Sequence, residues 1–168
     1  MKRSILNLII SSIIVGGLMG CGQTSSTSET SKEFNVVENK KNLNINSLTE
    51  GITIELEKGS YLMLDTITID GEYNPDTNIV EYTVTNNTAF DIGAVIYNFS
   101  TNGKHGFDEQ LVCDNLKAFS TSELLGGNYG DNWELFSIQF DLHGTNTDDS
   151  YFVSFNIMDG TYEVQKIN

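Results

Sequence analysis

The chain has 168 residues, with 23 acidic side chains against 9 basic ones and a formal net charge of −14. This excess of negative charge disfavours partners that carry phosphate groups, so we expect no nucleic-acid binding and no docking on anionic lipid through a basic patch. The length is sufficient for one domain preceded by a shorter segment.

The first 20 residues have the features of an export signal. Lys2 and Arg3 form a short basic region, and an apolar stretch from Ile5 to Gly20 follows it. This stretch is too short for a comfortable membrane-spanning helix, which needs about 20 apolar residues. We therefore predict that residues 1–20 are a signal peptide.

The end of this signal carries a recognisable cleavage motif. Leu18-Met19-Gly20-Cys21 resembles the lipobox of bacterial lipoproteins. The resemblance implies that the Cys21 thiol receives a diacylglycerol and becomes the mature N-terminus, which would hold the protein on the outer face of the cell membrane. Two acyl chains are enough for stable attachment to a bilayer. The alternative is an ordinary signal peptide with an incidental cysteine.

The region after Cys21 divides by composition into two parts. Residues 21–49 are rich in Ser, Thr, Asn, Glu and Lys and have no sustained hydrophobic period, which predicts a flexible, disordered tether. Residues 50–168 contain the apolar alternation of a folded domain. Cys113 is then the one cysteine left, so no internal disulfide can form, and we predict that it is a small buried side chain.

The folded part alternates with a period of two, which indicates β-strands. Examples are Ile52, Ile54 and Leu56; Val80, Tyr82 and Val84; Phe136, Ile138, Phe140 and Leu142; and Tyr151, Val153, Phe155 and Ile157. The phase changes within residues 60–70, which predicts a bulge or a bend between sheets. Residues 92–99 are apolar on both faces, as expected of a central strand.

Turn-forming residues separate these strands at intervals of about 10 residues. Asp159-Gly160 predicts a two-residue type I′ hairpin turn. We predict an all-β antiparallel Ig-like β-sandwich of seven or eight strands. Residues 108–125 have a mixed pattern, for which a short helical turn is the alternative to a strand.

One stretch of the domain, "VEYTVTNNTAFDIGAVIYNFSTNGK", resembles the Ig-like domains of Gram-positive lipoproteins, including the FxLYD type. The matching positions are Asn86-Asn87, the segment 94–98 and Gly103. Ala94 and Asn98 depart from the signature, which has Phe and Asp there. The resemblance implies an Ig-like sandwich and supplies no catalytic residue.

The sequence contains few groups suited to catalysis or metal binding. His105 and His143 both lie beside glycines in predicted turns, and no Gly-x-Ser-x-Gly elbow accompanies them. Two histidines without a partner at ligand spacing make a zinc site improbable. Calcium candidates are Asp131, the pair Asp70 and Glu72, and the pair Asp148 and Asp149, but none has the spacing of an EF-hand loop. We predict no catalytic residue, no metal site and no cofactor.

The glycine-rich segment 124–134 contains the one candidate ligand loop. Tyr129, Asp131 and Trp133 combine aromatic faces with a carboxylate, which suits a sugar ring because sugars present apolar C–H faces and hydroxyl edges. The alternative is that the glycines permit a tight loop and that Trp133 begins a strand and packs at the end of the sandwich.

These observations favour a lipid-anchored extracytoplasmic module that binds an envelope protein or a wall polymer and has no catalytic activity. Its contacts with the membrane would pass through Cys21. The alternatives are a structural or spacing lipoprotein without a dedicated ligand and, less favoured, a small-molecule or carbohydrate binder or an enzyme. Fold and location alone do not identify a ligand.

Overall fold

The computed structural model of the chain describes residues 39–101, 106–145 and 147–167. Within them lies most of one compact unit, Val36–Asn168. The predicted signal peptide, Cys21 and the first part of the predicted tether, together with Gly103 and His105, lie outside the described residues.

The described residues form twelve strands, and every pairing between them is antiparallel. The strands are β1 (Lys41–Asn42), β2 (Thr53–Glu57), β3 (Ser60–Met63), β4 (Ile67–Asn74), β5 (Ile79–Asn86), β6 (Phe90–Ser100), β7 (Glu109–Leu116), β8 (Ser120–Thr121), β9 (Leu125–Asn128), β10 (Glu134–Gly144), β11 (Ser150–Asn156) and β12 (Tyr162–Ile167). Two 3-10 turns, Asn46–Leu48 and Leu64–Thr66, are the helical elements of this part of the chain.

The strands are arranged in two main sheets and one hairpin. Sheet I has the order β1-β4-β5, with β8 and β9 both pairing the far side of β5. Sheet II has the order β12-β11-β10-β6-β7, and β2 and β3 form a separate hairpin. The predicted all-β antiparallel sandwich is confirmed. The strand count exceeds the predicted seven or eight mainly because the short strands β1, β8 and β9 have no visible period in the sequence.

The core lies between the two sheets and is built by the predicted alternation. Val80, Tyr82 and Val84 of β5 are buried and face the alternating apolar residues of β6, β10 and β11. Burying one such side chain is worth about 1.5–3 kcal/mol. Cys113 is buried among them, as predicted, and burial raises the pKa of its thiol.

One buried amide organises the crossing from sheet I to sheet II. Asn86, the last residue of β5, is fully buried, and its Nδ2 donates to the carbonyl oxygens of Phe90 (2.8 Å) and Lys117 (3.0 Å). Its Oδ1 accepts from the backbone N–H and the hydroxyl of Thr88, at 3.0 and 2.7 Å. All four hydrogen-bonding positions of the amide are therefore used.

A tyrosine in the middle of β5 connects the two sheets. The hydroxyl of Tyr82 donates to the carbonyl oxygen of Val112 (2.9 Å) and accepts from its N–H (3.0 Å). Val112 lies on β7, which is the edge strand of sheet II. The side chain thereby occupies backbone groups that an edge strand would otherwise leave open. Burial raises the pKa of Tyr82.

Several local predictions need correction. The folded part begins before residue 50, because β1 pairs with β4, and Leu43 and Ile45 are buried in the core. The intervening asparagines concealed this alternation. Residues 108–125 form strands rather than a helical turn. A bulge after Leu135 turns this residue inward and leaves Phe136 partly exposed, so Phe136 does not share the buried face of Ile138.

The two turn predictions have different outcomes. The phase change within residues 60–70 is a bend: the 3-10 turn Leu64–Thr66 carries the chain from the hairpin to sheet I. The hairpin at Asp159-Gly160 is present, but its connection is longer than two residues. Asn156 N–H bonds to the Thr161 carbonyl oxygen, and Gly160 alone in the connection has positive φ. A type I′ turn requires positive φ at two positions.

We predict that Asn86→Ala lowers the free energy of unfolding by about 3 kcal/mol, since it removes the four hydrogen bonds of a buried amide to Thr88, Phe90 and Lys117. Urea unfolding of the full chain, followed by the fluorescence of its single tryptophan, measures this loss. Asn87→Ala is the matched control, because Asn87 is exposed and, among the described residues, its side chain has no hydrogen-bond partner, while its backbone N–H donates to the Thr66 carbonyl oxygen. Equal stability of the two variants would contradict the role assigned to Asn86.

Candidate functional site

The predicted ligand loop lies at one end of the sandwich. Residues 129–133, hereafter the 129–133 loop, connect β9 with β10. The Tyr129 N–H donates to the carbonyl oxygen of Asn78 (2.9 Å), which attaches the loop to the turn between β4 and β5. The Trp133 N–H donates to the carbonyl oxygen of Gly130 (3.0 Å), which closes the loop on itself.

The two aromatic side chains of the loop belong to a cluster that closes this end of the core. The ring centroid of Tyr129 lies 4.9 Å from that of Tyr73 and 5.4 Å from that of Phe99, both edge-to-face. Trp133 lies 5.7 Å from Tyr129 and 6.1 Å from Phe99. Such contacts contribute about 0.5–1.5 kcal/mol per pair beyond area burial. Burial raises the pKa of Tyr129.

Asp131 connects the loop to the first strand. Its carboxylate accepts a hydrogen bond from the Tyr73 hydroxyl and pairs with the Lys41 ammonium at 2.8 Å. The bond from Lys41 and then that from Tyr73 lower the pKa of Asp131, and the same carboxylate raises the pKa of Tyr73 to about 12. The ion pair is half-exposed and contributes little stability, but it places β1 beside the 129–133 loop.

Trp133 packs against the backbone of its own loop. The indole lies over Gly130, where a Cβ would come within 2.9 Å of Nε1. Trp133 is nevertheless only partly buried. Within the described residues its indole N–H has no hydrogen-bond partner.

A polar recess of about 340 Å³ opens beside the indole. It is lined by Pro75, Asn78, Thr101, Gly130, Asp131, Asn132 and Trp133. The structure thus brings Asp131 and Trp133 together, whereas Tyr129 lies behind them in the aromatic cluster. Sequence reasoning missed Asn78 and Thr101. The available signal was that both lie in turn-forming stretches of the sequence, "YNPDTN" at 73–78 and "TNGKHG" at 101–106. Nothing in the sequence placed these two stretches at the same end of the sandwich.

A larger recess, of about 760 Å³, lies on the outer face of sheet I. Its lining includes Asp70, Glu72 and Glu81, and Glu72 stands directly opposite Glu81 in the β4–β5 register. Like charges in this position destabilise a sheet. In the described ranges, no three or more His, Cys, Asp or Glu side chains are placed so that they could hold one metal ion together. Of the other calcium candidates, Asp149 pairs with Lys166 at 2.6 Å.

His143 lies in β10 and not in a turn, so that prediction was wrong. Its Nδ1 lies 3.0 Å from the Ser150 hydroxyl and its Nε2 lies 3.3 Å from the Asp141 carboxylate. The three side chains share one sheet face because Asp141 and His143 are two residues apart and Ser150 pairs with His143 across the hairpin. Both His143 and Asp141 are more than a third exposed, on an open sheet face and not in a water-excluding cleft.

Comparisons with known proteins add no relative. No protein family, curated protein or solved structure matches the chain. The resemblance to lipoprotein Ig-like domains therefore stays a prediction. Among the described residues there is no helix of the length and apolarity required to cross a membrane.

We predict that Gly130→Ala displaces the Trp133 indole, because the new methyl group would lie 2.9 Å from Nε1 and 3.2 Å from Cδ1. Overpacking of this kind costs about 1–3 kcal/mol. The measurement is the emission spectrum of the single tryptophan together with urea unfolding. In Gly126→Ala, the matched control, the nearest atom to the added Cβ is 3.9 Å away, so neither quantity should change. An unaltered spectrum for Gly130→Ala would show that the indole does not rest on this residue.

Proposed function

We propose that the protein is a lipid-anchored, extracytoplasmic binding module without catalytic activity, which contacts a component of the cell envelope through the recess at the 129–133 loop. The observation that carries this proposal is the recess itself. It combines a partly exposed indole, an indole N–H without a partner among the described residues, and amide and carboxylate groups. The lipobox resemblance at Cys21 supports the membrane attachment.

The recess is close to the point where the chain enters the fold. Lys41 begins β1, pairs in register with Tyr73, and bonds to Asp131 of the 129–133 loop. The predicted tether, most of which lies outside the described residues, would join the domain at Lys41. A flexible chain of about 20 residues spans about 25 Å on average, and more when stretched. The recess would therefore work within a short distance of the bilayer.

The membrane attachment is tested by Cys21→Ser, which removes the thiol that would carry the lipid. We expect one of two outcomes. The variant leaves the membrane fraction for the medium, because it lacks the two acyl chains that would hold it there, or it accumulates unprocessed, because the cleavage motif lacks its cysteine. Fractionation of expressing cells followed by immunoblotting measures the distribution. Recovery of correctly cleaved Cys21→Ser protein in the membrane fraction would refute the anchor.

The binding role is tested by crosslinking in cells that express the tagged full chain. Asn132→Arg should abolish a recurrent crosslinked partner, because a long charged side chain would fill the recess from an exposed position. Asn87→Arg makes the same exchange at the other end of β5 and should keep the partner. Quantitative mass spectrometry compares the captured species.

Three results distinguish the functions. Loss in Asn132→Arg alone supports a module that binds through the recess. A partner retained by both variants moves the contact to another surface and refutes the site. Capture of abundant membrane proteins only would favour the structural or spacing role instead.

A further inference from the structure

The recess at the 129–133 loop has a lining that discriminates between ligand classes. Of the seven described residues that line it, one is acidic and none is basic. Lys41, which contacts Asp131, is paired with that carboxylate. An anionic polymer would meet the Asp131 carboxylate in this lining, which is unfavourable. A hydrophobic peptide side chain would cover the side-chain amides of Asn78 and Asn132 without offering them hydrogen-bond partners.

We infer that this recess binds one pyranose ring of a neutral envelope glycan. The inference rests on the proposed function and gives its ligand class. A pyranose presents an apolar C–H face and a rim of hydroxyl groups that donate and accept hydrogen bonds. The exposed part of the Trp133 indole offers the matching apolar surface, and the surrounding side chains of Asn78, Asp131 and Asn132 offer the polar partners.

The polar groups retain the capacity for such bonds. The Trp133 N–H and the side-chain amides of Asn78 and Asn132 have no hydrogen-bond partner among the described residues. The Asp131 carboxylate already accepts from Tyr73 and Lys41. A carboxylate has about four lone-pair positions, so it can still accept from a sugar hydroxyl.

The apolar surface is held in place before any ligand arrives. Trp133 rests on Gly130 and against the rings of Tyr129 and Phe99, so the indole has little rotamer freedom left to lose on binding. The recess of about 340 Å³ is near the lower limit of small-molecule sites. It therefore encloses one ring, and the neighbouring rings of a polymer would continue over the rim.

The test is a titration of the full chain, purified in detergent, with neutral trisaccharides, while the emission of its single tryptophan is recorded. The probes are triacetylchitotriose, cellotriose and maltotriose, with trigalacturonate as the anionic counterpart. We expect a saturable emission shift with at least one neutral probe and at least tenfold weaker binding of trigalacturonate. No shift with any neutral probe up to about 10 mM would overturn the inference. So would equal binding of the anionic probe.

Variants locate the binding site. Asn132→Ala should weaken binding of the neutral probe about five- to tenfold, as expected for loss of one or two hydrogen bonds. Asn87→Ala, at the opposite end of β5, should leave the affinity unchanged. Equal affinity in Asn132→Ala and Asn87→Ala would place the sugar elsewhere and refute the inference.

The result also separates this inference from the proposed function. If no neutral probe binds while Asn132→Arg still abolishes the crosslinked partner, the recess is a binding site for another class of ligand. If both experiments fail, the proposed function fails as well.

Discussion

The sandwich depends on how the chain leaves one sheet and enters the other, and Asn86 controls that step. It is fully buried, at the end of β5, and its amide bonds to the backbone of the following turn and to the carbonyl oxygen of Lys117 in the turn after β7. An apolar residue at this position could make none of these hydrogen bonds. The amide thus fixes two connections at once, and with them the relative position of the sheets at this end.

A second buried amide acts within sheet II. Asn98 on β6 donates to the Ser137 hydroxyl of β10 (3.1 Å) and accepts from the Gln110 side chain of β7 (2.8 Å). These three residues form one row across the neighbouring strands β10, β6 and β7. A shift of two residues in either pairing would keep the apolar alternation but break this row, so the polar contacts specify a register that the alternation alone leaves open. Asn86 and Asn98 therefore support the fold by hydrogen bonding where most of the core acts by packing.

The opposite end of the molecule is closed by different means. Aromatic rings fill the space between the sheets, and the carboxylate of Asp131 connects Tyr73 with Lys41. The same packing leaves one part of the Trp133 indole open to a polar recess. The buried parts of the aromatic rings stabilise this end of the core. The exposed part of the Trp133 indole still lines the recess and is available for contact with a ligand. The packing of Trp133 against Gly130, Tyr129 and Phe99 holds the indole side of the recess in place.

Acidic side chains lie on the outer faces of both sheets. Glu72 and Glu81 face each other on sheet I, and Asp141 lies beside His143 on sheet II. These side chains are exposed or partly exposed, and a net charge far from zero favours solubility. Their arrangement does not identify a ligand, since water solvates such carboxylates well.

The sequence by itself determined the fold class, because a hydrophobic period of two depends only on neighbouring residues. It also indicated the central strand at 92–99, the burial of Cys113 and the loop that carries Trp133. It did not reveal that Leu43 and Ile45 belong to the core, or that His143 lies in a strand beside Ser150. Only the tertiary structure decided which residues meet at the recess. Lys41, Tyr73 and Asp131 are separated by up to 90 positions along the chain, and their contact follows from strand order and register, which no local pattern encodes.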